Sequence, residues 1–90
     1  MITFKLPSQL SALAGGQRSL SVEADTLAEA FLRLDEIAPM LRSQVFDGTG
    51  AVRAFTGVFV AGEQLAALGD GSRPLPDGST ITIVMAVAGG

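Results

Sequence analysis

The chain has 90 residues, of which 48% are hydrophobic, and its nine acidic and six basic residues give a net charge of −3. This length and composition predict one small domain with a single core and exclude wholesale disorder. The basic residues are too few and too scattered for a nucleic-acid surface, and the absence of cysteine excludes disulfides and thiolate metal sites.

The inventory of side chains also bears on catalysis and location. With no Cys, His, Tyr or Trp, acid–base catalysis would fall to carboxylates or one lysine, and a hydroxyl nucleophile would lack a histidine base. We therefore expect a protein that is not an enzyme and that binds no metal or cofactor of its own. The longest apolar run, residues 83–88, is far too short to span a bilayer, and the alternating N-terminus does not match a signal peptide. A cytoplasmic protein without a membrane partner is expected.

Two alternating segments near the N-terminus predict a β-hairpin. Residues 2–6 alternate apolar and polar side chains up to Pro7, which has no N–H group for a sheet ladder. Residues 18–22 alternate in the same way, and the connection contains the turn signal Gly15-Gly16.

The next segment has the period of a helix. Residues 26–29 match a capping box, in which the Thr26 hydroxyl accepts from the N–H of residue 29 and Glu29 reaches back to the Thr26 N–H. Pro39 ends this helix, and residues 40–46 predict a short second helical turn. The apolar stripe of the main helix comprises Leu27, Ala30, Phe31, Leu34 and Ile37.

The C-terminal half returns to the period of strands and is divided by turn residues. The resulting order is strand, strand, helix, strand, short strand, strand, which predicts an α+β fold. One helix can cover only one face of a sheet, so the other face is left for solvent or a partner. The segments are a third strand at 52–61, a turn at 61–63, a short strand at 64–65, a loop at 66–75, a Pro-Asp-Gly turn at 76–78 and a last strand at 79–85.

The chain ends in Gly-Gly directly after this last strand. Because glycine has no Cβ, such an end can lie extended in a channel too narrow for other side chains, with its terminal carboxylate unhindered. We divide the chain into a body, residues 1–84, and a flexible C-terminal tail, residues 85–90. An inert tail is the alternative, since chain ends often fray.

With this order, length and ending, the chain resembles the β-grasp (ubiquitin-like) sulfur carriers: MoaD, the small subunit of molybdopterin synthase, the thiazole-pathway carrier ThiS, and CysO of the thiocarboxylate route to cysteine. The resemblance covers the whole chain. It rests on residues 75–79, which are similar to the family's L-x-D-G-D turn, and on the Val-Ala-Gly-Gly end at residues 87–90. Residues 25–27 match a further element, whereas Ser79 stands where an acidic residue is common. The family's fold implies a mixed sheet of four to five strands with one main helix on one face.

The resemblance also implies a chemistry. An E1-like enzyme would use ATP to adenylate the Gly90 carboxylate, and a sulfur donor would convert it to a thiocarboxylate. A sulfur-accepting enzyme, cysteine synthase-like or the large subunit of molybdopterin synthase, would then take the sulfur. The ATP site and any metal would belong to these partners. The residues expected to thread into the partner sites are Val87, Ala88 and Gly89.

A docking face follows from strand parity and from the β-grasp arrangement, in which the third strand lies beside the last. Ile81 and Ile83 would point to the core, which leaves alternate residues of the last strand outward and puts Phe59 next to Val84. An outward Phe beside an outward Val is the kind of anchor that a partner buries. The predicted partner-binding patch comprises Phe59, Leu65, Val84 and Ala86.

Three other functions fit the same features. The chain could be the molybdopterin synthase small subunit proper, or a ubiquitin-like modifier that uses the activated Gly90 to form isopeptide bonds. It could also be a β-grasp interaction subunit with an inert tail. The sequence leaves the pathway and any protein conjugation open.

Overall fold

The structure, a computed structural model, describes residues 1–67, 69 and 71–86. Nine short helices, turns and strands lie in this part of the chain. Among the helices in these ranges, none combines the length and the apolar character that crossing a membrane requires. In chain order the elements are β1 (Ile2–Lys5), α1 (Ser8–Ser11), a 3₁₀ turn (Ala12–Ala14), β2 (Ser19–Val22), α2 (Leu27–Ile37), α3 (Leu41–Val45), β3 (Thr56–Val60), β4 (Glu63–Leu65) and β5 (Thr80–Met85).

The five strands form one mixed sheet in the order β2-β1-β5-β3-β4. β5 lies in the centre, parallel to β1 and antiparallel to β3, and the outer pairs β1–β2 and β3–β4 are antiparallel. Because parallel neighbours need a long crossover, the chain between β1 and β5, including α2, must pass over one face of the sheet. The predicted α+β fold, with a mixed sheet of four to five strands and one main helix, is confirmed.

Left-handed backbone at both ends makes β3 shorter than predicted. The sequence pattern placed this strand at residues 52–61, whereas it spans Thr56–Val60. Phe55 and Ala61 have φ angles of 63° and 52°, which are incompatible with the extended geometry of a strand. The break at Ala61 agrees with the turn predicted at residues 61–63, whereas nothing in the sequence indicated the break at Phe55, because phenylalanine is not a turn former.

The predicted turn before the last strand is confirmed. The Ser79 N–H donates to the Pro76 carbonyl at 3.0 Å, and Gly78 takes the positive φ of 88° that such a turn requires. The Thr3 N–H donates to the Ser79 carbonyl at 3.0 Å. The turn therefore starts β5 in register with β1.

The core lies between the inner face of the sheet and the helices, with Phe31 of α2 near its centre. The Phe31 ring packs edge-to-face on Phe4 at 5.3 Å and on Phe46 at 5.2 Å. Burying one such ring is worth about 1.5–3 kcal/mol. The largest fully buried side chains are Phe4, Phe31, Ile2, Leu27, Leu34, Leu41, Ile81, Ile83, Val45, Val58 and Val60.

The apolar stripe of α2 ends at a different residue from the one predicted. Ile37, the last residue of α2, is 50% exposed, whereas Ala38 is fully buried. The chain leaves helical geometry at Ala38, where φ is −140°. This turn of the backbone directs Ala38 into the core, although the helical period had assigned that place to Ile37.

The capping box forms with one change of partner. The Thr26 hydroxyl accepts from the Glu29 N–H at 3.2 Å, as predicted, but the Glu29 carboxylate accepts from the Asp25 N–H at 3.1 Å. Thr26 is extended, with φ −131° and ψ 164°, so successive N–H groups point to opposite sides. It is the Asp25 N–H that faces Glu29.

The next amides of α2 are bound by the loop that leads to β5. The Leu27 N–H donates to the Arg73 carbonyl and the Ala28 N–H to the Gly71 carbonyl, each at 2.9 Å. Together with the side-chain cap, these bonds give the first three amides of the helix acceptors, so this end of α2 is not an open anion site. Gly71 can approach so closely because it has no Cβ: an added one would lie 2.4 Å from the Ala28 Cβ.

Asp47 organises the loop between α3 and β3. Its Oδ1 accepts from the Thr49 N–H at 2.8 Å, the Thr49 hydroxyl at 2.6 Å and the Ala51 N–H at 3.1 Å. These hydrogen bonds, the one from the Thr49 hydroxyl first, stabilise the charged form and lower the pKa of Asp47 below its usual 3.8.

We expect Gly71→Ala to destabilise the fold more than Gly62→Ala. Both glycines have positive φ, so an alanine at either position costs about 1–2 kcal/mol of conformational strain. Nothing lies within 4 Å of a Cβ at Gly62, whereas a Cβ at Gly71 would overlap Ala28, adding about 1–3 kcal/mol. Urea unfolding of both variants measures the difference. Equal losses would show that the contact with α2 is not tight.

We expect Asp47 to make stability depend on acidic pH. Its folded-state pKa lies below the usual value, so its contribution is complete above the unfolded pKa and is lost as the pH falls through the folded pKa. The difference in unfolding free energy between wild type and Asp47→Asn should be constant from about pH 5 to 7 and shrink below about pH 4. Thr49→Val, which removes one donor, should reduce this pH dependence; an unchanged profile would contradict the assignment.

Candidate functional site

β5 carries the chain from the core towards the predicted tail. Met85 pairs with Thr56, and the Ala86 N–H then donates to the Phe55 carbonyl at 2.8 Å. The strand therefore extends one residue beyond the predicted body of residues 1–84, because pairing with β3 continues and Met85 packs partly against the core. The tail residues Val87, Ala88 and Gly89 and the predicted reactive residue Gly90 lie outside the described residues.

Phe55 forms this last bond from an unfavourable backbone conformation. Its φ of 63° is left-handed, which is unusual for a bulky residue and costs about 1–3 kcal/mol. The Thr56 N–H donates to the Arg53 carbonyl at 3.2 Å, which closes the turn that contains Phe55. The Phe55 side chain is 63% exposed. Sequence reasoning missed this residue, because only a glycine or asparagine would have signalled a left-handed position.

Phe59 and Val84 form an apolar patch on the outer face of the sheet, the face opposite α2. The register places Val84 opposite Gly57 and Phe59 opposite Thr82, so Phe59 lies next to Val84 as a diagonal neighbour. Both side chains reach over Gly57: a Cβ there would lie 2.9 Å from Val84 Cγ2 and 3.1 Å from Phe59 Cε1. Val84 is 43% exposed. We call Phe59, Val84 and Gly57 the outer patch.

The other two residues predicted for this patch lie elsewhere. Leu65 pairs with Val58, a fully buried residue of the inner face, and packs partly against the core. Its assignment to the outer patch is therefore corrected, because directly paired residues share a face of the sheet. Ala86 is exposed just beyond the end of β5. Contact of these residues with a partner stays a prediction.

The helical side carries a shallow depression of about 730 Å³ beside α3. Its charged groups bind within the chain: Arg42 pairs with Asp35 at 3.1 Å, and the Arg53 Nε–H donates to the Ser43 carbonyl at 2.7 Å. Within residues 1–67, 69 and 71–86, no three potential metal-ligating side chains come together. The described residues therefore offer no ligand set for a metal.

Comparison with known proteins assigns the chain to a family. No protein-family model matches it. It is 30% identical over 91 residues to the sulfur carrier protein CysO of Mycobacterium tuberculosis, an alignment that covers 99% of this chain and 98% of that protein. The chain belongs to the CysO family of sulfur carriers. The resemblance inferred from the turn at residues 75–79 and the Gly-Gly end is confirmed.

Solved structures place this CysO-family chain among ubiquitin-like β-grasp proteins. A chain of the BexX/CysO complex of Amycolatopsis orientalis superimposes with a TM-score of 0.81 at 25% identity, with both chains covered completely. SAMP1 of Haloferax volcanii, a small archaeal modifier protein, gives a TM-score of 0.69 at 27% identity over 99% of this chain and 98% of that one. These relatives are carrier or modifier proteins, so the chain is a carrier and not an enzyme.

We expect the backbone of Phe55, and not its ring, to determine the stability of this site. Phe55→Gly should leave the free energy of unfolding within about 1 kcal/mol of wild type. Glycine removes the left-handed strain from the folded state, but it also makes the unfolded chain more flexible, and these two effects oppose each other. Phe55→Val should lower the free energy of unfolding more than Phe55→Gly does, because valine keeps the left-handed strain that phenylalanine already bears and its β-branched side chain adds crowding. Urea unfolding compares the two. A similar loss in both variants would mean that contacts of the ring matter instead.

Proposed function

We propose that this chain carries sulfur as a thiocarboxylate formed on the α-carboxyl group of Gly90. The observation that carries the proposal is the identity to CysO, which extends over 99% of the chain and therefore includes its C-terminal segment as well as the β-grasp body. The position of β5 supports it, since this central strand is paired on both sides and leads directly to residues 87–90.

The first step is activation of a poor electrophile. In the active site of an E1-like enzyme, a Gly90 carboxylate oxygen attacks the α-phosphorus of ATP, and pyrophosphate leaves. A donor that delivers hydrosulfide then supplies the nucleophile: its sulfur bonds to the acyl carbon of the adenylate, the C–O bond to AMP breaks, and loss of the sulfur proton leaves the thiocarboxylate. ATP and any metal are bound by the partner enzymes in this scheme. This chain contributes the carboxyl group, a tail without bulky side chains at residues 88–90 and the surface that is recognised.

A second enzyme accepts the sulfur. CysO of Amycolatopsis orientalis forms a complex with BexX, and we propose that this chain likewise docks on partner proteins. Its outer patch is well placed for docking, because Val84 lies two residues before Ala86, where the described chain ends. The proposed acceptor is a cysteine synthase-like enzyme, with the large subunit of molybdopterin synthase as the alternative, and the proposed location is the cytoplasm.

The similarity to SAMP1 favours one further function. SAMP1 is a small archaeal modifier protein with the same fold, and a modifier would use the same activated glycine. In that case a lysine amine of a target protein, and not a sulfur donor, would displace AMP and form an isopeptide bond. The two functions share their first step and differ in the nucleophile of the second.

Intact-mass measurement of the protein from its native host tests the proposal. We expect a species about 16 Da heavier than the chain ending at Gly90, because sulfur replaces one oxygen. A variant lacking Gly90 should not show this species, although its thermal unfolding midpoint should match wild type, since β5 ends at Met85. Glu36→Gln, an exposed change on α2, is the control that should retain the mass shift.

Analysis of covalent conjugates and growth of the Gly90 deletion strain distinguish the alternative functions. Larger covalent conjugates that disappear when Gly90 is deleted would identify a protein modifier. Full growth of the Gly90 deletion strain without added product of the sulfur pathway would show that the tail is inert. A mature chain that continues past residue 90 would overturn the proposed chemistry.

A further inference from the structure

The end of β5 is joined to β3 by one hydrogen bond beyond the last strand pair. Thr56 pairs with Met85, so the same register sets Phe55 opposite Ala86. The Ala86 N–H donates to the Phe55 carbonyl at 2.8 Å, and within residues 1–67, 69 and 71–86 no return bond joins the Phe55 N–H to the Ala86 carbonyl. A hydrogen-bonded pair of an antiparallel ladder normally exchanges both bonds. This pair is therefore only half formed.

The backbone of Phe55 explains why the pair is half formed. An extended residue directs its N–H and its carbonyl to the same neighbouring strand, whereas Phe55 has a left-handed φ of 63°. Its carbonyl therefore faces β5 and its N–H does not. The Thr56 N–H donates to the Arg53 carbonyl at 3.2 Å, and this turn leads the preceding chain away from β5.

The backbone groups that would continue the ladder are already bound. Hydrogen-bonded pairs recur at every second residue of an antiparallel ladder, so the next pair would be Arg53 and Ala88. The Arg53 carbonyl is held by the turn, and the Arg53 N–H donates to the Val45 carbonyl at 2.9 Å. Val52 is likewise bridged to Phe46. The chain before the turn is thus bonded to the end of α3 and not to β5.

β1, the other neighbour of β5, also stops before the chain end. Its parallel pairing ends at Lys5 and Thr82, and the same register would set Pro7 opposite Val84. Proline has no N–H for a ladder, and α1 begins at the next residue, Ser8. Within the part of β5 that follows Thr82, the described residues are paired only with β3.

Reach makes this ending of the sheet important for the proposed chemistry. Four residues follow Ala86 up to Gly90, and a fully extended chain of this length spans at most about 14 Å. Each residue that paired with β3 would shorten the reach by about 3.4 Å. Because unpaired strand edges readily add further strand residues, an edge that is closed beside Ala86 keeps the full length available for an enzyme.

We propose that Phe55 is a positioning residue for the activation of Gly90: its left-handed turn fixes Ala86 through one hydrogen bond and denies residues 87–90 a partner strand. This inference rests on the proposed function. In this role Phe55 acts through Ala86 and not on the reacting atoms. An extended residue 55 would open the turn, release the Arg53 carbonyl and let β3 capture the chain end.

ATP–pyrophosphate exchange by the full chain and the activating enzyme of the same organism tests this role. Phe55→Val and Phe55→Asn both remove the ring, but asparagine adopts left-handed backbone readily and valine does not. Phe55→Val should lower kcat about fivefold and leave KM within about twofold, because docked molecules with a captured end do not react. Phe55→Asn, which conserves the backbone geometry, should restore kcat to within about twofold of wild type.

Amide hydrogen exchange of the chain alone gives a second measurement, which in wild type needs no variant. The Ala86 amide should exchange at least about tenfold more slowly than the Ala88 amide, because Ala86 donates to Phe55 and Ala88 has no free acceptor on β3. In Phe55→Val the Ala88 amide should slow by the same factor by which kcat falls, since both quantities report the fraction of captured ends.

The opposite results would overturn the inference. Equal losses of kcat in Phe55→Val and Phe55→Asn would assign the effect to the ring. A rise in KM alone would reflect loss of folded chain, because unfolding lowers the concentration of substrate and not the rate of the docked complex. Slow exchange of Ala88 in wild type would show that the sheet extends past Phe55. Wild type without pyrophosphate exchange would contradict the proposed adenylation, while hydrogen exchange would still decide whether Phe55 ends the sheet.

Discussion

The pairing of β5 with β1 on one side and β3 on the other is the interaction on which the structure depends. It joins the two halves of the chain into one sheet and places Ile81 and Ile83 in the centre of the core. The same strand presents Thr82 and Val84 on the opposite face and then leads to Ala86. A strand with neighbours on both sides is a rigid base for the segment that follows it, since groups carried on such elements are positioned more accurately than groups on loops.

The main helix is connected to this strand through the loop that precedes it. The Leu75 N–H donates to the Asp25 carbonyl at 2.8 Å, immediately before the capping residue of α2, and carbonyl groups of the same loop receive the first helical amides. The loop thus provides caps that the sequence of the helix alone does not contain. Gly71 permits this approach because of its missing side chain and its positive φ, so local backbone geometry couples the position of α2 to that of β5.

The two faces of the sheet differ in chemistry because strand alternation separates them. The inner face is mainly apolar and covered by helices, whereas the described strands present hydroxyl groups, Gln64, Lys5 and the outer patch on the outer face. Gly57 is important for the patch, because the Phe59 ring and the Val84 methyl group both reach into the space that its side chain would have occupied. The proposed docking of partner proteins assigns its apolar contact to this patch.

The sequence by itself determined the elements and the family of this protein. Alternation with a period of two, the helical stripe ending at Pro39, the capping residue Thr26 and the turn at residues 76–79 each act through neighbouring residues, so they could be inferred locally. Only the tertiary structure decided the placement of Leu65 on the inner face, the diagonal placement of Phe59 and Val84, the burial of Ala38 in place of Ile37 and the left-handed backbone of Phe55. Each of these depends on strand register or on contacts between distant segments. A one-residue change of register moves a side chain to the other face without changing the local pattern, which is why sequence periodicity could not decide them.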